Sequence, residues 1–188
     1  LEVGNSVRSI RLSANEQLFV CCPHHAQSKI DPHWWHSVSG MKRAVSYVAK
    51  EFGKADPALS ATYRANANAW VRELDALEDW AKGQMKQLAR QDRILVTGHA
   101  GFGYFCREYG LRSLPLGGLA LEEVSSTYVA EAIQEIQSRK VKAVFPEQDS
   151  NPQAIRSIIS ATGVAEGGEL ISDAAVDNYV AFVQHNVN

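Results

Sequence analysis

The sequence predicts an α/β fold built on a parallel sheet, and two patterns support that prediction. In the second half of the chain, short aliphatic runs alternate with longer segments of helical periodicity. Strands that alternate with helices imply right-handed crossovers and a parallel sheet that is covered on both faces. Ahead of this region, one helical pattern continues for an unusual length. The 188 residues are 45% hydrophobic and 21% charged, which is the composition of an ordinary globular protein.

The first part of the chain has the least regular pattern. Residues 18–21 predict a short strand, and a polar loop over 23–29 follows it. Asp31 and Pro32 are typical of a helix start, with Asp31 as the cap and Pro32 in the first turn. We therefore expect a helix from Pro32 to Phe52, ending at Gly53.

The long helical pattern begins with a second cap and proline, at Asp56 and Pro57. Apolar or small residues then recur every three or four positions from Leu59 to Leu88, so that one stripe runs along one face. At a rise of about 1.5 Å per residue, such a helix would be on the order of 45 Å long. A helix of this length is suited to bracing two lobes.

Four strands and four helices are predicted after the long helix. The strands are Ile94–Thr97, Leu111–Leu116, Val141–Phe145 and Gly168–Ile171. The helices are Gly101–Tyr109, Glu123–Arg139, a segment from Asn151-Pro152 to Thr162, and Asp177–His185.

Charge and cysteine content exclude several classes of protein. The formal net charge is -2 and no basic cluster is present, so the sequence does not favour a nucleic-acid partner. No apolar run approaches the roughly 18 residues that a membrane-spanning helix needs. Cys21, Cys22 and Cys106 are too few for a disulfide framework, and they do not indicate a cellular compartment.

Two candidate metal ligands lie just after predicted strands. His99 comes two residues after Thr97, and Asp173 comes two residues after Ile171. Because ligands bind beyond the carboxyl ends of parallel strands, both side chains are expected at one edge of the sheet. His33, in the first turn of its helix, is a third candidate. Imidazole and carboxylate suit zinc, manganese or iron(II). A lone histidine after a strand is more often a hydrogen-bonded structural residue, a lone aspartate before a helix is usually a cap, and His33 could simply be exposed in its first turn.

Other chemistries have weaker support. The run from Cys21 to His25 contains thiols and imidazoles, but zinc ligands are normally spaced by two to four residues, which makes it a weak capture site or incidental. Cys106 with His99 would make a thiol nucleophile and its base, yet the apolar neighbours of Cys106 favour burial. No nucleophile elbow, phosphate-binding loop or H-E-x-x-H motif occurs.

Several motifs, in order, resemble the metal-binding receptors of bacterial zinc and manganese ABC transporters. Residues 31–35 resemble the Asp-Pro-His motif of that family, and residues 97–105 resemble the motif that carries its next ligand. Residues 55–77 are similar to the start of the family's rigid linking helix, and residues 168–174 to the segment with its carboxylate ligand. Residues 183–187 are similar to its C-terminal helix.

The resemblance implies that His33, His99 and Asp173 bind Zn2+, with Mn2+ as the alternative. It also implies a two-lobed α/β receptor with the metal in the cleft between lobes. Residues 1–54 would be a remnant of an incomplete N-terminal lobe, 55–90 the linking helix, and 91–188 a C-terminal lobe with a four-stranded parallel sheet flanked by helices.

Such a receptor is not an enzyme. It lies in the periplasm or on the cell surface, captures a divalent metal and delivers it to the membrane permease of an ABC transporter. The family also has a longer stretch of chain before the Asp-Pro-His motif, with a further histidine ligand. Two alternatives stay open at this point: a metal-dependent hydrolase that uses the same residues with Glu147 as its base, and a truncated interaction module that binds no metal.

Overall fold

The computed structural model describes residues 31–118, 126–148, 153–173 and 176–188. The strand predicted over 18–21, the polar loop and the Cys21–His25 run lie outside these residues. The described residues form six α-helices and four short β-strands.

The segment that begins at Asp31 is not one continuous helix, as the sequence predicted. A 3-10 turn spans Trp34–His36, and helix α1 spans Val38–Ala55. The interruption arises because the Ser37 side chain accepts the backbone N–H of Gly40 and caps α1 itself. The helix also continues past the predicted end at Gly53.

The long helix is confirmed in place and kind. Asp56 accepts the backbone N–H of Leu59 and caps a 3-10 turn over Pro57–Leu59. Helix α2 then spans Ser60–Lys86, 27 residues, which is about 40 Å at the rise of an α-helix. Among the described residues, no helix is both long and apolar enough to cross a lipid bilayer.

The remaining elements alternate as predicted. The strands are β1 (Ile94–Thr97), β2 (Arg112–Pro115), β3 (Ala143–Val144) and β4 (Ala165–Glu166). The helices are α3 (Gly103–Tyr109), α4 (Ser126–Arg139), α5 (Gln153–Thr162) and α6 (Tyr179–Val187). Gly110 ends α3 with a φ of 70°, a left-handed conformation that favours glycine.

All strand pairs are parallel. Strand β1 pairs with β2, β3 pairs with β4, and a single bridge from Thr97 to Phe145 joins the two pairs. The predicted fourth strand, Gly168–Ile171, is wrong in its position along the chain. The ladder forms earlier, at β4, and Leu170 contributes only one bridge, to Glu147. Between these points Gly167 passes so close to the Phe145 ring that a Cβ there would lie 2.4 Å from Cε1, which leaves no room for a side chain.

Helix α2 packs against both halves of the described structure. One apolar cluster joins its C-terminal half to β1 and α3 through Met85, Leu95 and Phe105. Another joins its middle to α1 and α6 through Leu74 and Phe182. The far face of the sheet is covered by α4 and α5. The edge at which β1 and β3 end therefore faces the segment that leads into α1.

Candidate metal centre

The three predicted ligands, His33, His99 and Asp173, converge at this edge. The two Nε2 atoms are 3.4 Å apart. From Asp173, Oδ1 is 3.6 Å from Nε2 of His33, and Oδ2 is 3.4 Å from Nε2 of His99. His99 follows β1, Asp173 follows the bridge at Leu170, and His33 immediately precedes the 3-10 turn. The structure thus places three donor groups around one point.

The spacing of these donor atoms matches a small divalent ion. Zinc–ligand bonds are about 2.0–2.1 Å long, so two ligands at the tetrahedral angle lie about 3.3–3.4 Å apart. Octahedral neighbours with bonds of the same length would lie only about 2.9 Å apart. The observed separations of 3.4, 3.4 and 3.6 Å are nearer the tetrahedral value, and the two that involve Asp173 are measured to different oxygens of its carboxylate. One donor atom from each of the three residues lies within 4.8 Å of the other two, which is close enough for the three groups to share one ion.

A carboxylate holds each imidazole from behind. Asp31 Oδ1 lies 2.7 Å from His33 Nδ1 and also accepts the His33 backbone N–H at 2.9 Å. Glu147 Oε2 lies 2.5 Å from His99 Nδ1, and its Oε1 accepts the His99 backbone N–H at 3.0 Å. A carboxylate beside Nδ1 keeps the proton there and leaves the Nε2 lone pair facing the metal. The two contacts therefore favour, in both rings, the tautomer that can bind a metal through Nε2.

The electrostatics of the centre favour a cation. Burial acts to lower the pKa of His99, but the hydrogen bond and charge of Glu147, with the charges of Asp173 and Asp31, outweigh it and raise the pKa above its ordinary value. Three carboxylates thus surround two imidazoles in a mostly buried space. A divalent ion would neutralise most of that negative charge.

A third histidine, His36, lies beside the centre and packs in the core. Its ring packs against Phe102 and Phe182, with centroids 4.4 and 5.3 Å away. Burial, assisted by His33 and His99, lowers its pKa to about 3. His36 is therefore neutral, and it lies outside the ligand triangle.

Two residues that the alternative chemistries would use, Glu147 and Cys106, are not placed for those roles. Both carboxylate oxygens of Glu147 are directed at His99, so this group is not placed as a general base facing the metal. Cys106 is buried, and burial raises the pKa of its thiol to about 12. The thiol is thus protonated at neutral pH, and the burial that the apolar neighbours of Cys106 predict is confirmed.

The groups that support the two imidazoles do not emerge from the sequence patterns. Those patterns assign Asp31 only to a helix cap and Glu147 only to a base. A signal for Glu147 does exist: it comes two residues after the predicted strand ending at Phe145, the same offset as for His99 and Asp173. A rule based on that offset places all three side chains together.

The chain matches a known family over nearly its whole length. Residues 4–188 match the family described as the periplasmic zinc-uptake complex component A, ZnuA. The chain belongs to the ZnuA family. The resemblance drawn from its motifs is therefore confirmed.

Relatives in the ZnuA family carry different metals in their names. The chain is 32% identical to the zinc-binding protein TroA of Treponema pallidum, over 86% of this chain and 56% of that protein. It is 29% identical to the manganese-binding lipoprotein MntA of Bacillus subtilis, over 84% of this chain and 56% of that protein. The chain thus spans about half the length of these curated relatives.

The solved structures agree on the fold. The structure of TroA superimposes with a TM-score of 0.80 at 29% identity, covering 88% of this chain and 64% of TroA. The Fe(III)-bound YtgA of Chlamydia trachomatis gives a TM-score of 0.83 at 26% identity, covering 94% of this chain and 66% of YtgA. The predicted α/β fold, with its parallel strands and long helix, is that of the TroA-like ZnuA proteins.

Proposed function

We propose that this chain captures a divalent transition metal at His33, His99 and Asp173, as the metal-binding receptor of an ABC transporter. The observation that supports this most directly is the cluster of donor atoms, in which the two Nε2 atoms lie 3.4 Å apart and each lies 3.4–3.6 Å from an oxygen of Asp173, and in which a buried carboxylate contacts each histidine. The metal is cargo here, to be released rather than retained. Two neutral imidazoles and one carboxylate would hold it with a net charge of +1.

Zinc is the metal we propose first, with manganese as the alternative. Two imidazoles and one carboxylate form a donor set that zinc commonly takes, and the separations lie near those of a tetrahedral site. Relatives named for zinc, manganese and iron show that the family as a whole accepts more than one metal. Selectivity would then depend on geometry and availability.

We also propose an extracytoplasmic location and delivery of the metal to a membrane permease. Relatives are described as periplasmic components or lipoproteins of metal transport, which supports this. Within the chain we assign residues 1–54 to the N-terminal lobe, 55–90 to the linking helix and 91–188 to the C-terminal lobe. The packing of α2 against both α1 and α3 supports that division.

Equilibrium dialysis of the 188-residue chain against zinc and against manganese tests the proposal. The expected result is one zinc per chain, with affinity reduced at least about tenfold in His33→Ala, His99→Ala and Asp173→Ala. His185→Ala is the matched control, because this exposed histidine contacts the Glu169 carbonyl instead.

Two results would contradict the proposal. One is a wild-type chain that takes up neither metal, which would leave the interaction module as the better interpretation. The other is unchanged affinity in both histidine variants, which would place any bound metal elsewhere.

A further inference from the structure

We infer that Trp35 and Asn186 are positioning residues that hold the carboxylate ligand Asp173 in the metal centre, and that Trp35 links it directly to the His33 segment. This inference rests on the proposed function. It concerns how the third ligand is held and which ligand leaves the metal first.

The three ligands differ in how firmly they are fixed. The side chains of His33 and His99 are only 4% and 2% exposed, and each is held through Nδ1 by a carboxylate. The side chain of Asp173 is 34% exposed. Its position therefore depends largely on how its own backbone segment is anchored.

Asn186, on α6, anchors that segment two residues before the ligand. Its Oδ1 accepts the backbone N–H of Ile171 at 2.9 Å, and its Nδ2 donates to the Ile171 carbonyl at 2.8 Å. This amide satisfies both backbone groups of one residue, as a neighbouring strand would. Asn186 is 8% exposed, so water does not readily replace these bonds.

Trp35 anchors the segment one residue before the ligand. Its indole Nε1–H donates to the Ser172 carbonyl at 3.1 Å, while Tyr179 donates its hydroxyl to the Trp35 carbonyl at 2.8 Å. The Trp35 ring also meets the His33 ring edge-on, with centroids 5.3 Å apart. The 3-10 turn that follows His33 is thus hydrogen-bonded to Ser172, the residue before Asp173.

A link of this kind makes the separation between His33 and Asp173 a property of the fold. If the indole bond is lost, the backbone at Ser172 gains freedom and the exposed carboxylate is the ligand that moves away. Because one neutral hydrogen bond is removed, metal should dissociate about 3- to 10-fold faster. Removal of both Asn186 bonds should accelerate dissociation about tenfold or more.

The test measures the rate of zinc release from the 188-residue chain by stopped-flow mixing with a chromophoric chelator. Trp35→Phe keeps an aromatic ring but has no N–H, and Asn186→Leu keeps the approximate shape but makes neither bond. Trp70→Phe and Gln184→Leu are matched controls outside the centre. The controls should release zinc at the wild-type rate, whereas the two test variants should release it faster by the stated factors.

A double-mutant cycle separates positioning from a general loss of structure. In an Asp173→Ala background, Trp35→Phe should cause no further acceleration, because the ligand through which it acts is gone. The same acceleration with and without Asp173, or no acceleration in either test variant, overturns the inference. If Trp35→Phe does not fold, the Asn186→Leu cycle decides alone. A wild-type chain without zinc overturns the proposed function as well, whereas zinc binding that needs Asp173 but not Trp35 or Asn186 overturns this inference only.

Discussion

The buried carboxylate of Glu147 allows a sharp test of how His99 is prepared for a metal. Glu147 offers two acceptors to one residue: Oε1 to the backbone N–H of His99 and Oε2 to its Nδ1, at 3.0 and 2.5 Å. Glu147→Gln preserves the shape but leaves only one acceptor oxygen, because the other position becomes an NH2 donor. Two acceptors are needed and one remains.

Either orientation of the new amide damages the site. If its oxygen stays with the backbone N–H, the NH2 group faces Nδ1 of His99 and forces the ring proton onto Nε2, the atom that must bind the metal. If the amide turns over, its NH2 group faces the backbone N–H of His99, so that two donors meet without an acceptor. Changes to such outer carboxylates weaken metal binding about 10- to 100-fold. We expect the upper end, about 100-fold or about 2.7 kcal/mol, because the tautomer itself changes.

The assay is zinc affinity by competition with a chelator at a pH of about 8, which is above the ordinary pKa of an imidazole. Thermal unfolding of the metal-free protein checks that the variant is folded, and Glu169→Gln, an exposed position, is the matched control. Affinity within a factor of about two of the wild type would refute the reasoning. An equal loss in a His99→Ala background would also refute it, because Glu147 is argued to act through His99.

Three further predictions concern glycine, metal binding and acid stability. Gly101→Ala would place a Cβ 2.6 Å from His99 Nε2, so zinc affinity should fall about tenfold or more. The control is Gly83→Ala, whose Cβ meets nothing within 4 Å, and it should leave zinc affinity unchanged in the same titration. The pKa of His99 is raised above 6.5, so protons should begin to compete with zinc for this imidazole above that pH. Zinc affinity, measured from about pH 8 downward, should then fall by up to about tenfold for each pH unit below the pKa of His99. The pKa of His36 is lowered from 6.5 to about 3 in the folded protein, so as pH falls His36 becomes protonated in the unfolded chain at a higher pH than in the folded protein. Its contribution to stability is present above 6.5 and is lost as pH falls, by about 2 kcal/mol at about pH 5, which urea unfolding of wild type against His36→Phe should show.

Much of the fold follows from local signals. Strand β1, the end of α3 at Gly110 and the start at Asp56 appear where caps, glycine and periodicity predict them. The failures have a common cause in long-range packing. The helix expected from Pro32 is divided because a second cap, Ser37, is itself bonded to Glu108 on α3, a residue 71 positions away.

The site is predictable to the extent that topology determines it. The ends of parallel strands meet at one edge, which brings His99, after β1, close to Asp173, although the strand predicted over 168–171 is reduced to the bridge at Leu170. The roles of Trp35 and Asn186 are not predictable in this way, because the bond from Trp35 to Ser172 joins residues 137 apart and depends on how α1 and α6 dock. Metal binding by the ligands stays a prediction until an ion is measured.

The docking of α1 against α3 connects the helix start to the metal centre. Glu108, on α3, accepts hydrogen bonds from the Ser37 and Ser39 hydroxyls and from the Ser39 backbone N–H. A carboxylate at the first turn of α1 stabilises that helix end and fixes it to the helix that follows His99. His33 lies just ahead of the same helix end, so the Glu108 contacts join the segment that follows His33 to the helix that follows His99. Of the three ligands, Asp173 has the most exposed side chain and therefore the most freedom to move, so metal should enter and leave on the side of Asp173.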